Sequence, residues 1–412
     1  MASAGWTVGD QVLSALSNLT ISLGIGRAGG GRLLGSFTVD FTVYLLALGF
    51  QRSLLSEPLM SQALTGDRRA DASAGASALR CAGVYGVTWA LLTAAVGLVL
   101  GSKNTLMLAV VLPALLLQDL LRYVALRSRR PRRAAVLDGI WLAVVLCAWP
   151  VLTSASGLVV PLLVWGAGAA AACGWGLWTS HGRSTAATAL AWWKQEARRF
   201  GGLLAFDSVV HALANQGVTL ALAGLLGLGD LGALRAAALL LGPAGTALVA
   251  FNAFVLPRLA SRSQAMTRSQ ALALSAAAGL MSAVVVGVTV LIGPALSRVL
   301  FNHRIDVGYD VLVPLGCGLL CASFSAGLVL HLKALRQVAA WTVLRLCAAA
   351  GGVPVVVFLA SRHGLSGAAL GLALQAGLAA LSDAVAWFLA SRSPRSARPD
   401  AGPGPARLPS AP

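Results

Sequence analysis

One apolar run after another, joined by short polar connections, fills this chain. A run of roughly 20 apolar residues is what a helix needs to cross a hydrocarbon core about 30 Å thick. Such runs lie near residues 8–26, 34–56, 78–100, 105–126, 135–154, 157–178, 201–224, 231–255, 270–292, 308–331, 337–360 and 364–390. They are long and lack two-residue alternation, so they read as helices and not as strands of a membrane barrel. A soluble domain carries roughly a quarter charged residues. Here the charged share is 11%, the apolar share 57%, and the mean hydropathy +0.79, which excludes a water-facing surface over most of the length. The opening "MASAGWTVGD" has no basic stretch and leads straight into a full-length run. The expectation is a retained first span and no cleavable leader.

Lys and Arg number 31 against 14 Asp and Glu, a net charge of +17. On a twelve-span map most of these cations fall on the side of the termini, and "RSRRPRR", Arg127 to Arg133, dominates. Positive charge collects in cytoplasmic loops, so both termini are expected in the cytoplasm. The basic loops lie against an anionic leaflet, which makes membrane lipids their partner. They are short and lack interleaved aromatic residues, so no nucleic-acid partner is expected. All six cysteines (Cys81, Cys147, Cys173, Cys317, Cys321, Cys347) lie in apolar runs, without a His or carboxylate cluster to complete a metal site. They read as packing residues, and neither a metal nor a cofactor is expected. No P-loop, HExxH, GxSxG or CxxC occurs, and the outer connections offer only scattered carboxylates, Asp306 and Asp310 being the nearest pair. An enzyme is not expected.

The chain nearly repeats itself. "DQVLSALSN" (Asp10 to Asn18) returns as "DSVVHALAN" (Asp207 to Asn215), an offset of 197 residues. At that offset Val12 meets Val209, Leu23 meets Leu220, Gly30 meets Gly227, and Leu34–Gly35 meets Leu231–Gly232. The spans then divide as six and six. An even number per half leaves both halves in the same orientation, related by an axis along the membrane normal. The expected fold is an all-α polytopic membrane protein of about twelve transmembrane helices, in two pseudo-symmetric six-helix lobes around a central cavity. The expected divisions are an N-terminal lobe over 1–178, a cytoplasmic amphipathic linker helix over 179–200, a C-terminal lobe over 201–391, and a disordered tail over 392–412, rich in Pro, Arg and Ser. In the linker, Leu190, Trp193, Ala197 and Phe200 share one helical face, as in a helix lying in the interface.

Polar and ionisable residues inside spans cost about 2.5–3.5 kcal/mol each near a helix centre, so they turn inward. They concentrate in the first two spans of each half. Asp10, Ser14, Ser17 and Asn18 share a face of the first span; Asp207, His211 and Asn215 step by four in the seventh. Asp40, Tyr44 and Gln51, with Arg52, lie in the second, and Arg235 and Asn252 in the eighth. If the halves face each other, these helices line one cavity, with Asn18, Asp40, Tyr44, Arg52, His211, Asn215 and Arg235 as candidate substrate-cavity residues. The alternative is helix packing without a cavity. Asp10 and Asp207 occupy matching places near the inner ends of spans one and seven. With Arg258 they are candidate gate residues, Asp10 pairing with Arg52 and Asp207 with Arg258, unless each carboxylate merely suits a helix start. Asp119 and Arg122 read as a local i,i+3 pair, and Arg345 and Asp383 as mutually neutralising.

"GDQVLSALSNLTISLGIGRAGGGRLLGSFTVDFTVYLLALGFQRSLLSEPL" resembles the opening of bacterial polysaccharide flippases, Wzx-like members of the multidrug/oligosaccharidyl-lipid/polysaccharide (MOP) exporter superfamily. The motifs are "DQVLSALSN", the Gly- and Arg-containing turn after it, and "RSLLSEPL", within about fifty residues. The turn departs from the family's polar pattern, reading "AGGGRLLG". The resemblance implies a flippase in the bacterial inner membrane, moving an anionic lipid-linked oligosaccharide of the undecaprenyl-pyrophosphate type outward by alternating access. It implies as partners a coupling ion (proton or sodium), a polysaccharide polymerase and glycosyltransferases. A drug or metabolite antiporter of the same superfamily and a non-transporting membrane scaffold are the competing readings. Of the family's residues, only Asp10, Asn18 and the Arg52 to Pro58 segment carry over.

Overall fold

The computed structural model describes residues 2–61, 68–180, 184–260, 267–334 and 338–392. The side chains of residues 196–215, 249–250, 252–260 and a few positions near helix ends lie outside the described residues. Among the described residues the chain is helical, joined by short turns, and without a strand. In order it forms α1 (Ala2–Gln51), a π-helical turn (Arg52–Ser56), α2 (Glu57–Ser61), α3 (Arg68–Leu100), α4 (Lys103–Arg127), α5 (Pro131–Cys147) and α6 (Trp149–Thr153). Then come α7 (Val159–Trp178), α8 (Ala186–Ala260), α9 (Arg268–Leu300), α10 (Tyr309–Ala334) and α11 (Val338–Arg392).

Three of these helices are too long for a single crossing. Fifty residues of straight helix would extend about 75 Å. Each is bent back at one glycine with a left-handed φ: Gly30 (φ 64°) in α1, Gly227 (φ 79°) in α8 and Gly364 (φ 59°) in α11. Only glycine reaches that region without a Cβ penalty, so each bend turns one helix into two antiparallel limbs. Counting limbs, and α5 with α6 as one, the chain makes six crossings before the connection at 179–185 and six after it. The expected twelve-helix, two-lobe layout is what the structure has. Residues 9–60 and 341–391, at 52 and 51 residues, are each long enough for two crossings. Two helix starts are capped by side chains. Ser102 accepts from the Thr105 N–H at the start of α4, and Thr267 with Gln270 closes a capping box at the start of α9.

Boundaries differ from the sequence reading in two places. The run 135–154 is two helices, because α5 ends at Cys147 and Pro150 sits in the first turn of α6. The linker is not a separate helix: α8 begins at Ala186 and continues into the seventh span up to the Gly227 bend. Its packed face buries Ala189 and sets Trp192 against the cluster of Leu55, Leu59, Ala78, Ala82 and Leu120, while Leu190 and Trp193 are exposed. Ala197 and Phe200 have side chains outside the described residues.

The two halves meet mainly where α1 crosses α8. Near the bends the backbones approach so closely that a Cβ at Gly35 would overlap the Leu228 carbonyl oxygen, and one at Gly232 the Gly31 carbonyl oxygen. Leu228 stands 197 residues beyond Gly31, and Gly232 the same number beyond Gly35. The contact is therefore self-complementary, residue for residue, as across a two-fold axis. The repeat seen in the sequence is thus also a repeat in space. The backbone oxygens at this crossing cannot yield as a flexible side chain would. Gly35→Ala and Gly232→Ala should each lower stability by at least the roughly 1–3 kcal/mol of core overpacking. Gly287→Ala, where an added Cβ meets nothing within 4 Å, should not. Thermal unfolding of the purified protein in detergent checks this.

Candidate functional site

Near the start of α1, charged side chains converge from four elements. Asp119 and Arg122 come from α4, one turn apart; Asp138 comes from α5, Asp10 from α1, and Arg52 from the first position of the π-helical turn. Arg122 Nη2 donates to Asp10 Oδ2 at 2.7 Å, and its Nε lies 3.0 Å from Asp138 Oδ2. Arg52 grips Asp119 with both arms of its fork, Nη2 to Oδ1 at 2.7 Å and Nε to Oδ2 at 3.1 Å. Gln118 Nε2 donates to Asp138 Oδ1 at 2.6 Å, and Gln51 Nε2 to the Leu116 carbonyl at 2.8 Å. Asp10, Asp119, Asp138 and Arg122 are buried. The π-turn supplies the geometry: it widens the helix just where Arg52 must reach α4, and such bulges recur at functional positions.

The pairing differs from expectation in one respect. Asp10 binds Arg122, not Arg52, because Arg52 is held by Asp119. Asp119 and Arg122 do approach each other, at 3.6 Å, but each has a shorter contact with a different helix. The network ties the helices of the N-terminal half to one another, and among the described residues no group of the other half enters it. Asp207, His211, Asn215 and Arg258, which would show whether the second half repeats it, have side chains outside the described residues. Arg345 and Asp383 do meet, at 3.2 Å, and Trp341 Nε1 donates to the same carboxylate at 2.7 Å.

A second group lies where the halves face each other. Arg235 of α8 sits over the Phe41 ring of α1, 4.5 Å from its centroid, and its Nε is buried with no hydrogen-bond partner. Among the described residues no carboxylate pairs with Arg235, and nothing hydrogen-bonds or ion-pairs with the buried Asp40 one residue before Phe41. Asn18 donates to the Ser14 carbonyl at 3.2 Å, and its Oδ1 is buried without a partner. Tyr44 takes a different place. It is buried edge-on against Trp165, centroids 4.9 Å apart, in an aromatic core with Phe37, Phe41 and Trp141.

At the end of the bundle where the Gly30 and Gly227 bends lie, two arginines cross between the halves. Arg27 of α1 donates from Nε to the Leu300 carbonyl at 2.6 Å and from Nη2 to the Val299 carbonyl at 3.1 Å. These are carbonyls of the last turn of α9, which lack intrahelical donors and carry the negative end of the helix dipole. Asn302 and His303, both left-handed (φ 52° and 57°), then turn the chain back, and Arg304 donates to the Ala28 carbonyl of α1. The clasp is reciprocal: each half offers an arginine to the other's helix end.

No protein-family model matches the sequence, and no curated protein matches it. Solved structures do match in three dimensions. An inward-facing multidrug-resistance MATE family transporter of the MOP superfamily aligns with 94% of this chain and 97% of its own, at 14% identity and a TM-score of 0.67. The lipid II flippase MurJ in an inward closed conformation aligns with 95% of this chain and 90% of its own, at 11% identity and a TM-score of 0.66. The chain has the MOP-transporter fold. A MOP transporter from Pyrococcus furiosus, described by a binding pocket of reverse polarity that suggests a different function, also matches, with a TM-score of 0.56 over 94% of this chain and 93% of its own, at 12% identity.

Asp138, Gln118, Arg27 and Arg304 were not among the residues singled out from sequence. Asp138 carried a usable signal, as the one acid in the apolar run 135–154. Arg27 and Arg304 carried none, since a cation at a helix end reads as topology alone. The geometry separates two kinds of charge. Removing one member of a buried, hydrogen-bonded ion network strands its partners and costs about 3–5 kcal/mol. A partly buried cation–π contact is worth about 2 kcal/mol or less. Arg122→Ala should therefore lower the unfolding midpoint in detergent far more than Arg235→Ala.

Proposed function

We propose that the chain is an alternating-access flippase that carries an anionic lipid-linked oligosaccharide, of the polyprenyl-pyrophosphate type, from the inner to the outer leaflet. The supporting observation is Arg235: a guanidinium between the halves, free of any carboxylate among the described residues, with its Nε buried and unpartnered. A cation held this way can bind phosphate oxygens with charge-assisted hydrogen bonds. Arg52, the other candidate cation, is neutralised by Asp119 and holds the lobe together. Tyr44 likewise belongs to the packed core. Asn18, Asp40 and Arg235 remain as the substrate-facing set.

In this reading the termini and the Arg127 to Arg133 turn are cytoplasmic, and the Arg27–Arg304 clasp closes the outer end. Outward passage of a pyrophosphate lipid across a membrane negative inside is downhill by about 2.3 kcal/mol per charge per 100 mV. The chain then needs no nucleotide, only the opening of one end as the other closes and the return of the empty carrier.

A second reading rests on Asp40. A buried carboxylate without a partner favours a cationic solute, as an antiporter of this fold would carry. One assay separates the two. In proteoliposomes, the wild-type chain should move a fluorescent polyprenyl-pyrophosphate oligosaccharide between leaflets, Arg235→Ala should slow it about tenfold or more, as expected for one lost charge-assisted contact, and Arg235→Lys should keep part of the rate. Transport of a cationic dye that depends on Asp40, with no movement of the lipid, would instead establish the antiporter. Neither activity would leave the scaffold.

A further inference from the structure

In the N-terminal half, α3, Leu117 of α4, the end of α7 and the start of α8 line a half-open cavity of about 620 Å³ that none of the charged-network residues lines. Its lining is unusual for a membrane protein's outer wall. Ser73, Ser180, Ser184, Thr185 and Thr188 contribute five hydroxyls, and Arg80 contributes a guanidinium. Arg80 is exposed, and among the described residues it meets no carboxylate. The hydroxyls are held in place by one another: Ser184 Oγ lies 2.8 Å from Ser77 Oγ and 2.9 Å from Thr188 Oγ1, and the Thr185 N–H donates to Thr188 Oγ1 at 2.8 Å. Thr185 and Thr188 also stand at the positive end of the α8 dipole. Ser180 Oγ donates to the Gly176 carbonyl at 2.7 Å and Thr188 Oγ1 to the Thr185 carbonyl at 2.9 Å, so the hydroxyls form a polar lining while Arg80 and the helix start supply the positive potential.

Its height matters as much as its chemistry. Arg80 stands 20 residues before α3 ends at Leu100, about 30 Å along the axis, which is the thickness of the hydrocarbon core. The hollow therefore lies at the boundary between headgroups and acyl chains. Below Arg80, at helical spacing on the same face of α3, Val84, Val87 and Leu91 form an exposed apolar stripe. At the same level Trp178 is exposed beside the lining Leu177, where interfacial tryptophans anchor a protein. A free anion would use the hollow and ignore the stripe. A lipid would use both.

We propose that this hollow binds the phosphate of an anionic glycerophospholipid, with Arg80 and the hydroxyls on the headgroup and an acyl chain along Val84, Val87 and Leu91. The site is separate from the substrate path and does not depend on what the chain transports. It would tie the first turn of α8, the link between the two halves, to α3 through a lipid.

The probes are phosphatidylglycerol, phosphatidylcholine with the same acyl chains, and inorganic phosphate, added to the purified full chain in detergent and read by native mass spectrometry. The wild-type protein should retain phosphatidylglycerol over phosphatidylcholine. Arg80→Gln should weaken that retention about tenfold, as expected for one charge-assisted contact, with no change in fold because Arg80 is exposed. Thr188→Leu, which fills the hollow, should do the same, and Leu91→Ser should weaken the lipid without affecting phosphate. Displacement of the lipid by millimolar phosphate would keep the phosphate site and overturn the lipid as its occupant. Equal retention of both lipids by the wild type, or unchanged preference in Arg80→Gln and Thr188→Leu, would overturn the site.

Discussion

The crossing of α1 and α8 is the contact on which the architecture depends. Gly35 faces Leu228, and Gly232 faces Gly31, at a separation that leaves no room for a Cβ on either glycine of the pair Gly35 and Gly232. Lipid offers little hydrophobic drive to join helices, so association relies on close packing, and small residues permit it. Because the contact is self-complementary at an offset of 197 residues, each half presents the other with the same kind of surface. The bends at Gly30 and Gly227 place it at one end of the bundle, and the Arg27 and Arg304 clasp lies beside it. In the proposed cycle these two features have opposite roles: the glycine crossing is a pivot surface, and the clasp is a latch of a few hydrogen bonds that can be remade.

Charge is divided in the same spirit. Asp10, Asp119 and Asp138 with Arg52 and Arg122 form a network confined to one half. It ties α1, the π-helical turn, α4 and α5 to one another, since breaking a buried pair is costly. Arg235 and Asp40 lie between the halves and are left without ionic partners among the described residues. Groups that must meet a ligand cannot be committed to the scaffold, and groups committed to the scaffold cannot meet the ligand. On this ground Arg52 moves from the first class to the second, although both arginines look alike in the sequence.

Much of the fold was legible. Run lengths implied twelve crossings, and the match of Gly30 with Gly227 marked the two bends that the structure shows. Asp10 reads from sequence either as a partner of Arg52 or as a helix-start carboxylate, and Arg345 and Asp383 as a pair. The partners of Asp10 were not legible. Its true partner lies 112 residues away, and nothing in one sequence says which of several arginines a buried aspartate will find. Asp138 was missed although it follows the same rule that selected Asp40. The outer clasp was invisible for another reason: its acceptors are backbone carbonyls, which every residue has, and only the geometry of the α9 end makes them special.

The central claim is that the halves move as bodies about the glycine crossing, with the arginine clasp holding the outer end shut. Spin labels at Val99, at the outer end of α3, and at Tyr309, at the start of α10, report that end directly, since both residues are exposed and belong to opposite halves. Pulsed electron–electron distance measurement should give one narrow, short distribution for the wild-type clasp. In Arg27→Ala with Arg304→Ala a second, longer population should appear, while a control pair within one half stays fixed. An unchanged distribution in the double variant, or lengthening that also appears within a single half, would contradict the account.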